Sequence, residues 1–240
     1  MSAVTATFNG TASTHASFDI GNIVKLVRPI YPGSRVRMQP ITGRMGVYFH
    51  GKDRKELYIP VRFYFASSSM ANKRTAIRAI SDWLDVDEPK VLTFSDEPLR
   101  RYYAIPINEI VPDEALYLGY VNMTFLVPAG YAESTTTKTA SPNAGTLETP
   151  VQITATMAAA ASELIIALSA TEYLQLTMGL LIADVVIFNT ETRTCTVNGT
   201  DSRRYLNIGS TWFTLPVGAF ALTPTPVGTT VAIVYRERFK

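Results

Sequence analysis

The chain is poor in the residues that make chemistry: its 240 positions hold one cysteine and two histidines. With Cys195 alone, no disulfide can form within the chain. The thiol lies in Thr194-Cys195-Thr196-Val197, a strand-like run where it reads as a small core hydrophobe. That usage fits synthesis in a reducing cytoplasm. His15 stands among Thr and Ser and His50 precedes a turn glycine, so neither supplies a zinc constellation. The GxSxG, P-loop and GxGxxG patterns are missing as well. Charge is scarce: 18% of residues are charged and the net charge is +2, far from the basic stripe that neutralises phosphates. Arg100-Arg101, Arg203-Arg204 and the run Lys52-Asp53-Arg54-Lys55 therefore belong on solvated loops, and no specific nucleic-acid site is expected. The longest apolar stretch, Leu176 to Phe188, is interrupted by Thr177, Gly179 and Asp184 and is too short to cross a bilayer. The first residues have neither the basic start nor the apolar core of a signal peptide, so no membrane insertion is expected.

Paired carboxylates deserve a separate test, because two acids can run glycoside hydrolysis. Asp82, Asp85, Asp87 and Glu88 cluster together, with Asp96-Glu97 close behind. Helical spacing puts Asp82 and Asp85 on an outer face, where water keeps both ionised. Asp96-Glu97 precedes Pro98, a turn setting in which a short acid bonds nearby amides. No catalytic, metal or cofactor-binding residue is expected, and the chain reads as non-enzymatic.

What the sequence does contain is strand signal. Leu57, Ile59, Val61, Phe63 and Phe65 alternate with Tyr58, Arg62 and Tyr64, a period of two. Pro60 offers no amide donor, which favours an edge position or a bulge for this strand. His50-Gly51-Lys52-Asp53-Arg54 reads as a hairpin loop after Val47-Tyr48-Phe49. Ala115 to Val127 predicts a long strand, apolar at Val121, Met123, Phe125 and Val127. One segment breaks the rhythm. Over residues 71–86, Ile77, Ile80 and Leu84 recur at helical spacing with Trp83 beside them, while Lys73, Arg74, Arg78, Asp82 and Asp85 suit a wet face. Ser68 or Ser69 offers an N-cap, and Pro89 prevents continuation.

Residues 132–150, AESTTTKTASPNAGTLETP, have no aromatic side chain and Leu147 as their only large apolar one. Such a segment buries little apolar area to offset its ordering, so it reads as a linker between a domain 1–131 and a domain 151–240. Beyond it, short strand candidates recur with turns between them: 151–157, 164–168, 173–177, 184–188, 193–197, 205–208, 212–215, 219–222 and 229–235. Asn198-Gly199 is a tight-turn pair, and the spacing predicts a β-sandwich. The fold class is mainly β: an N-terminal β-barrel or sandwich with one helix, then the second sandwich. Among twelve Tyr, eleven Phe and two Trp, most of which belong to the core, the Tyr and Trp side chains suit sugar stacking and protein interfaces alike.

Phe94-Ser95-Asp96-Glu97-Pro98-Leu99-Arg100-Arg101-Tyr102-Tyr103 resembles the signature of distal tail proteins of siphophages. In that family a helix ending in Trp-Leu precedes a strand, an Asp-Glu-Pro turn, Arg and Tyr. Here Trp83, Leu84, Phe94, Asp96, Glu97, Pro98, Arg100 and Tyr102 stand in those places. Thr194 to Gly199 is similar to a family strand ending in Asn-Gly. Trp212-Phe213-Thr214-Leu215 with Gly218 and the final Tyr235-Arg236-Glu237-Arg238-Phe239 match its C-terminal pattern, although Val217-Gly218-Ala219-Phe220 replaces the usual Pro-Gly-x-Asn. Physically the motif is a corner: Asp96 caps, Pro98 fixes φ, and Arg100 pairs with Asp96 or Glu97.

The resemblance implies a structural subunit of the virion tail tip, made in the cytoplasm of the bacterial host. It implies a homo-hexameric ring built by the first domain, with Leu57, Ile59, Val61, Phe63 and Phe65 as the candidate inter-subunit edge strand, and a galectin-like second domain outside it. Its partners would be the tail tube protein, the tail-associated hub protein and often receptor-binding or baseplate proteins. The alternative reading is a carbohydrate-binding module that presents Trp212 or tyrosines to host cell-wall glycan.

Overall fold

The computed structural model describes residues 4–18, 20–29, 33–43, 45–107, 112–115 and 118–240. The chain is mainly β, with one α-helix among the described residues. It divides into two compact units, Met1–Glu133 with Lys240 and Ser134–Phe239.

In the first unit the strands are β1 (Ala6–Phe8), β2 (Thr11–Ala12), β3 (Ile20–Leu26), β4 (Ser34–Pro40), β5 (Val47–Arg54) and β6 (Leu57–Ala66). Helix α1 (Met70–Leu84) follows, then β7 (Lys90–Phe94), β8 (Arg100–Ile107), β9 (Pro112–Ala115) and β10 (Leu118–Val127), while β11 (Ala132–Ser134) spans the division. The strand order is β2-β1-β7-β8-β10-β6-β3, with β9 also on β10. Strand β8 pairs with β7 through Tyr102–Ala104 and with β10 through Ile105–Ile107, so it hands the sheet from one half to the other. The expected strand over 115–127 is thus β10 with β9 turned back on it, and its Val121, Met123, Phe125 and Val127 are buried as their alternation requires.

Helix α1 begins one residue before and ends two residues before the expected 71–86. Ser69 accepts from the Asn72 amide as N-cap, and Asp85 closes the C-terminus by donating its amide to Ser81. The buried stripe is Lys73, Ala76, Ile80, Trp83 and Leu84. Lys73 therefore corrects the reading that put it on the wet face: it is 1% exposed, with Nζ 5.8 Å from the Phe65 ring centroid. Its four methylenes pack like an apolar side chain while the ammonium meets an aromatic face. The exposed charges run against the helix dipole, with no acid in the first turn and no base in the last. Each such misplacement costs about 0.3–1 kcal/mol at low salt.

Trp83 anchors the helix. Its indole Nε1 donates to the Phe8 carbonyl at 3.0 Å, and its ring meets Phe8 edge-on at 6.0 Å and stacks on Phe18 at 4.9 Å.

The second unit holds β12 (Val151–Thr156), β13 (Ala161–Ala167), β14 (Tyr173–Leu180), β15 (Val185–Asn189), β16 (Thr194–Val197) and β17 (Thr200–Asp201). After a 3-10 turn at Arg203–Tyr205 come β18 (Thr223–Thr225), β19 (Thr230–Tyr235) and β20 (Arg238–Phe239). One sheet runs β17-β16-β15-β12-β19 and the other β14-β13-β18. Both sheets send side chains into one core, including Ile153, Leu164, Ile166, Leu174, Val186, Phe188 and Cys195, which makes this unit a β-sandwich. Asn198-Gly199 turns β16 into β17 with φ of 49° and 83°, the double positive φ that favours this dipeptide. Segments 205–208, 212–215 and 219–222, expected as strands, are instead a 3-10 turn and irregular chain tied on by single bridges. Burial pushes the Cys195 thiol up to about 12, so it is inert at neutral pH.

Residues 134–150 are not a free linker. The backbone of Lys138 bridges Tyr235, Asn143 bridges Gly218, Leu147 bridges Arg238 and Thr149 bridges Leu215. Low apolar content removed the hydrophobic reason to order this stretch, but backbone pairing supplies another.

Candidate functional site

The motif residues come together as a charged corner. Phe94 ends β7 and Arg100 opens β8, with Glu97 accepting from the Arg100 side chain at 3.4 Å. The pairing expected from Arg100 is real but secondary. Arg28, which no local pattern marked, binds Asp96 through Nη2 at 2.6 Å and Glu97 through Nη1 at 3.2 Å. Its guanidinium also lies 4.8 Å from the Phe94 ring centroid. Tyr102 closes the group by donating to Glu97 at 3.4 Å, and it packs edge-on against Phe94. Burial, reinforced by the Glu97 charge, pushes the Tyr102 phenol up to about 12.

This corner has two measurable consequences. Arg28→Met keeps the stem and removes the fork, so a loss of about 1 kcal/mol is expected, since the carboxylates are more than a third exposed. A double-mutant cycle with Asp96→Asn in urea unfolding should show positive coupling. The Tyr102 phenol is raised above its usual 10.0, so the stability it lends is complete below that pH and fades as pH rises towards about 12. Tyr102→Phe should therefore flatten, though not abolish, the alkaline fall in stability over that window.

The candidate edge is corrected outright. Strand β6 lies between β10 and β3, paired with both, and Leu57, Ile59, Val61, Phe63 and Phe65 are all buried. Pro60 turns its carbonyl to the Val27 amide, so the donor it lacks would have faced β3, just where that ladder ends at Leu26–Val61. The proline marks the end of a pairing, not the rim of the sheet.

The surface that sequence reading missed is the β4–β5 hairpin. Residues 50–54, expected as a hairpin loop between Val47–Phe49 and the strand from Leu57, are instead the end of β5, whose partner β4 precedes it with a turn at Thr42–Gly43 between them. Val36 and Met38 share a face with Val47 and Phe49, held in register by Met38 opposite Phe49 and Pro40 opposite Val47. A bulge at His50, with Gly51 at φ 126°, interrupts the ladder. All four apolar residues are exposed, Met38 by 56% and Phe49 by 63%. The other face carries an Arg37–Asp53 pair at 3.1 Å and a Gln39–His50 contact at 3.2 Å. The two strands pack chiefly on each other. The signal was there to read: Arg35-Val36-Arg37-Met38-Gln39 alternates with a period of two.

Two open hollows lie in the first unit. One of about 490 Å³ lies on β3, β6 and β10, lined by Lys25, Arg62, Asn122 and Thr124 among others, with no carboxylate, histidine or cysteine among its described lining residues. The other, about 430 Å³, lies beside α1 and is lined by Asn9, Thr11, His15, Ser17, Phe18, Ala79, Asp82 and Trp83. There Ser17 reaches His15 through its backbone amide at 3.3 Å, so its hydroxyl is not the group held to the ring. Among the described residues no group of three His, Cys, Asp or Glu could hold a metal ion. Trp212, the candidate sugar platform, is half-buried against the core of the second unit.

The geometry finds its match among phage tail proteins. The family described as phage tail protein RIFT-related domain matches residues 13–127. The family described as siphovirus-type tail component, C-terminal domain, matches residues 144–239. No curated protein sequence matches the chain. The crystal structure of the SPP1 Dit (gp 19.1) protein, titled a paradigm of hub adsorption apparatus in phages infecting Gram-positive bacteria, shares 18% identity at a TM-score of 0.86, with each chain covered in full. A chain of the phage P2 baseplate in its activated conformation with Ca shares 6% identity at a TM-score of 0.52, over 99% of this chain and 98% of that one. The same baseplate with Sr gives 7% and 0.50, over 98% and 97%. With both halves matched by tail families and the whole chain sharing the fold of a distal tail protein, the chain belongs to the siphophage distal tail proteins, structural components of the phage tail.

Proposed function

We propose that this chain is a non-enzymatic ring subunit, six copies of which join the end of the tail tube to the tail-tip hub or baseplate. The first unit forms the ring, and the second, a galectin-like sandwich, stands outside it. A ring of identical subunits needs head-to-tail contacts that close after a full turn. The observation that carries the reading is the β4–β5 hairpin, whose apolar face is left exposed by the described residues. A two-stranded hairpin is at best marginal alone in water, so an exposed Met38–Phe49 face calls for another surface. Strand β3, the last in the order of the sheet, offers a second place for a neighbour to join.

Imaging of the purified full-length chain tests this, alone and with tube and hub proteins added. A six-fold ring with a central channel and a mass near six times 26.4 kDa is expected. Met38→Ser with Phe49→Ser should abolish the ring and leave the melting temperature of the monomer within about 2 °C, since exposed positions contribute little. A chain that stays solitary even with tube and hub present would overturn the reading.

A further inference from the structure

The chain holds Asn-Gly twice, and the two copies of this thermolabile pair sit in matched turns with unmatched side chains. Asn9-Gly10 turns β1 into β2, with Phe8 opposite Thr11, and Asn198-Gly199 turns β16 into β17, with Val197 opposite Thr200. Their backbones agree closely, with φ of 50° and 79° at the first turn and 49° and 83° at the second. All four residues are exposed. Neither glycine amide donates a hydrogen bond among the described residues. The asparagine side chains differ. Asn198 is held at both ends: its Oδ1 accepts from the Val185 amide at 2.9 Å, and its Nδ2 donates to Asp184 at 2.9 Å. Asp184 is itself fixed, accepting from the Leu181 amide at 2.7 Å. Among the described residues nothing holds the Asn9 side-chain amide, and only its backbone N–H is engaged, with the Val91 carbonyl.

We propose that Asn9 is a site of spontaneous deamidation and isomerisation, and that its two hydrogen bonds protect Asn198 from the same reaction. Hydroxide takes the proton from the Gly10 amide, and the nitrogen attacks the side-chain carbonyl carbon of Asn9. The new N–C bond closes a succinimide ring, and the side-chain nitrogen leaves as ammonia. Water then opens the ring at either carbonyl, giving aspartate or an isoaspartate whose main chain runs through the former side chain. The attack requires the amide carbon to swing over the glycine nitrogen, where no Cβ obstructs it. Asn9 is free to make that swing. Asn198 must first break two hydrogen bonds, each worth about tenfold in rate. Conversion of Asn9 places a new carboxylate in the hollow that Asp82 also lines. The inference stands apart from the ring reading.

Incubation of the full-length chain in warm, mildly alkaline buffer, followed by peptide mapping, tests the assignment. Deamidation raises the mass of the affected peptide by about 1 Da, and fragmentation that separates aspartate from isoaspartate identifies the product. In the folded chain Asn9 should convert at least about tenfold faster than Asn198. In urea both turns are lost, and the two rates should converge to within about twofold. Asp184→Ala, checked for a native circular dichroism spectrum, frees the Asn198 Nδ2 and should speed that residue by about tenfold while leaving Asn9 unchanged. Asn9→Gln should remove the first acidic species that ion exchange resolves. Equal rates at the two sites in the folded chain would overturn the assignment, as would an Asn9 that stays intact for the time that converts it in urea. An Asn198 rate unmoved by Asp184→Ala would overturn the protecting role of its hydrogen bonds.

Discussion

Trp83→Ala should cost the first unit about 4 kcal/mol and lower its melting temperature on the order of 12 °C. Three contacts fail together: the stack on Phe18, the edge contact on Phe8 and the hydrogen bond to the Phe8 carbonyl. The void left behind is walled by residues fixed elsewhere, with Phe8 held at 5.2 Å from Phe125, so collapse around it is limited. Whole-domain stabilities are about 5–15 kcal/mol, so this one change consumes a large share. Trp83→Phe separates the parts. It keeps most of the ring packing but removes the indole donor from the Phe8 carbonyl, which still pairs in the β1–β2 ladder, at a cost of about 1 kcal/mol. Urea unfolding that tracks the first unit decides the matter, and equal losses in the two variants would show that packing contributes little there.

How much of this was legible depends on the range over which each signal acts. Burial of Leu57, Ile59, Val61, Phe63 and Phe65 follows from alternation inside ten residues and reads straight off the chain. Which strands flank β6 is decided by β3 and β10, dozens of residues away on either side, and Pro60 gave a misleading local hint. The same contrast runs through the corner. Asp96, Glu97, Arg100 and Tyr102 are neighbours in sequence and were found together, whereas Arg28 comes from 68 residues upstream with no pattern around it. Helix α1 was legible from its period and its Ser69 cap, but a charge-based face assignment misplaced Lys73, because a lysine stem can fill apolar space. The hairpin carries its own local signal, the period-two alternation of Arg35–Gln39.

Asn143→Ala should destabilise the second unit by about 2–4 kcal/mol, an effect foreign to a linker residue. Its side chain is fully buried. Its amide donates to the carbonyls of Leu147 at 3.2 Å, Pro216 at 3.1 Å and Leu215 at 3.5 Å, and its Oδ1 accepts from the Gly145 amide at 3.0 Å. Alanine takes this donor from the part-buried Leu147 and Pro216 carbonyls and this acceptor from the buried Gly145 amide, while the Leu215 carbonyl keeps the Thr149 amide. Asn143→Asp should be worse at neutral pH, since it trades the donor for a charged acceptor aimed at carbonyl oxygens. Both substitutions bear on one physical question: whether 134–150 is held by hydrogen bonds in place of apolar burial. Hydrogen exchange supplies the independent readout. In the intact chain the amides of Lys138, Asn143 and Thr149, which donate to Tyr235, Gly218 and Leu215, should exchange as slowly as those of the adjoining sheets. In Asn143→Ala they should speed up together while β15 and β16, paired to one another, stay protected. Fast exchange of these amides in the unmodified chain would instead return the segment to the role of a solvated connector.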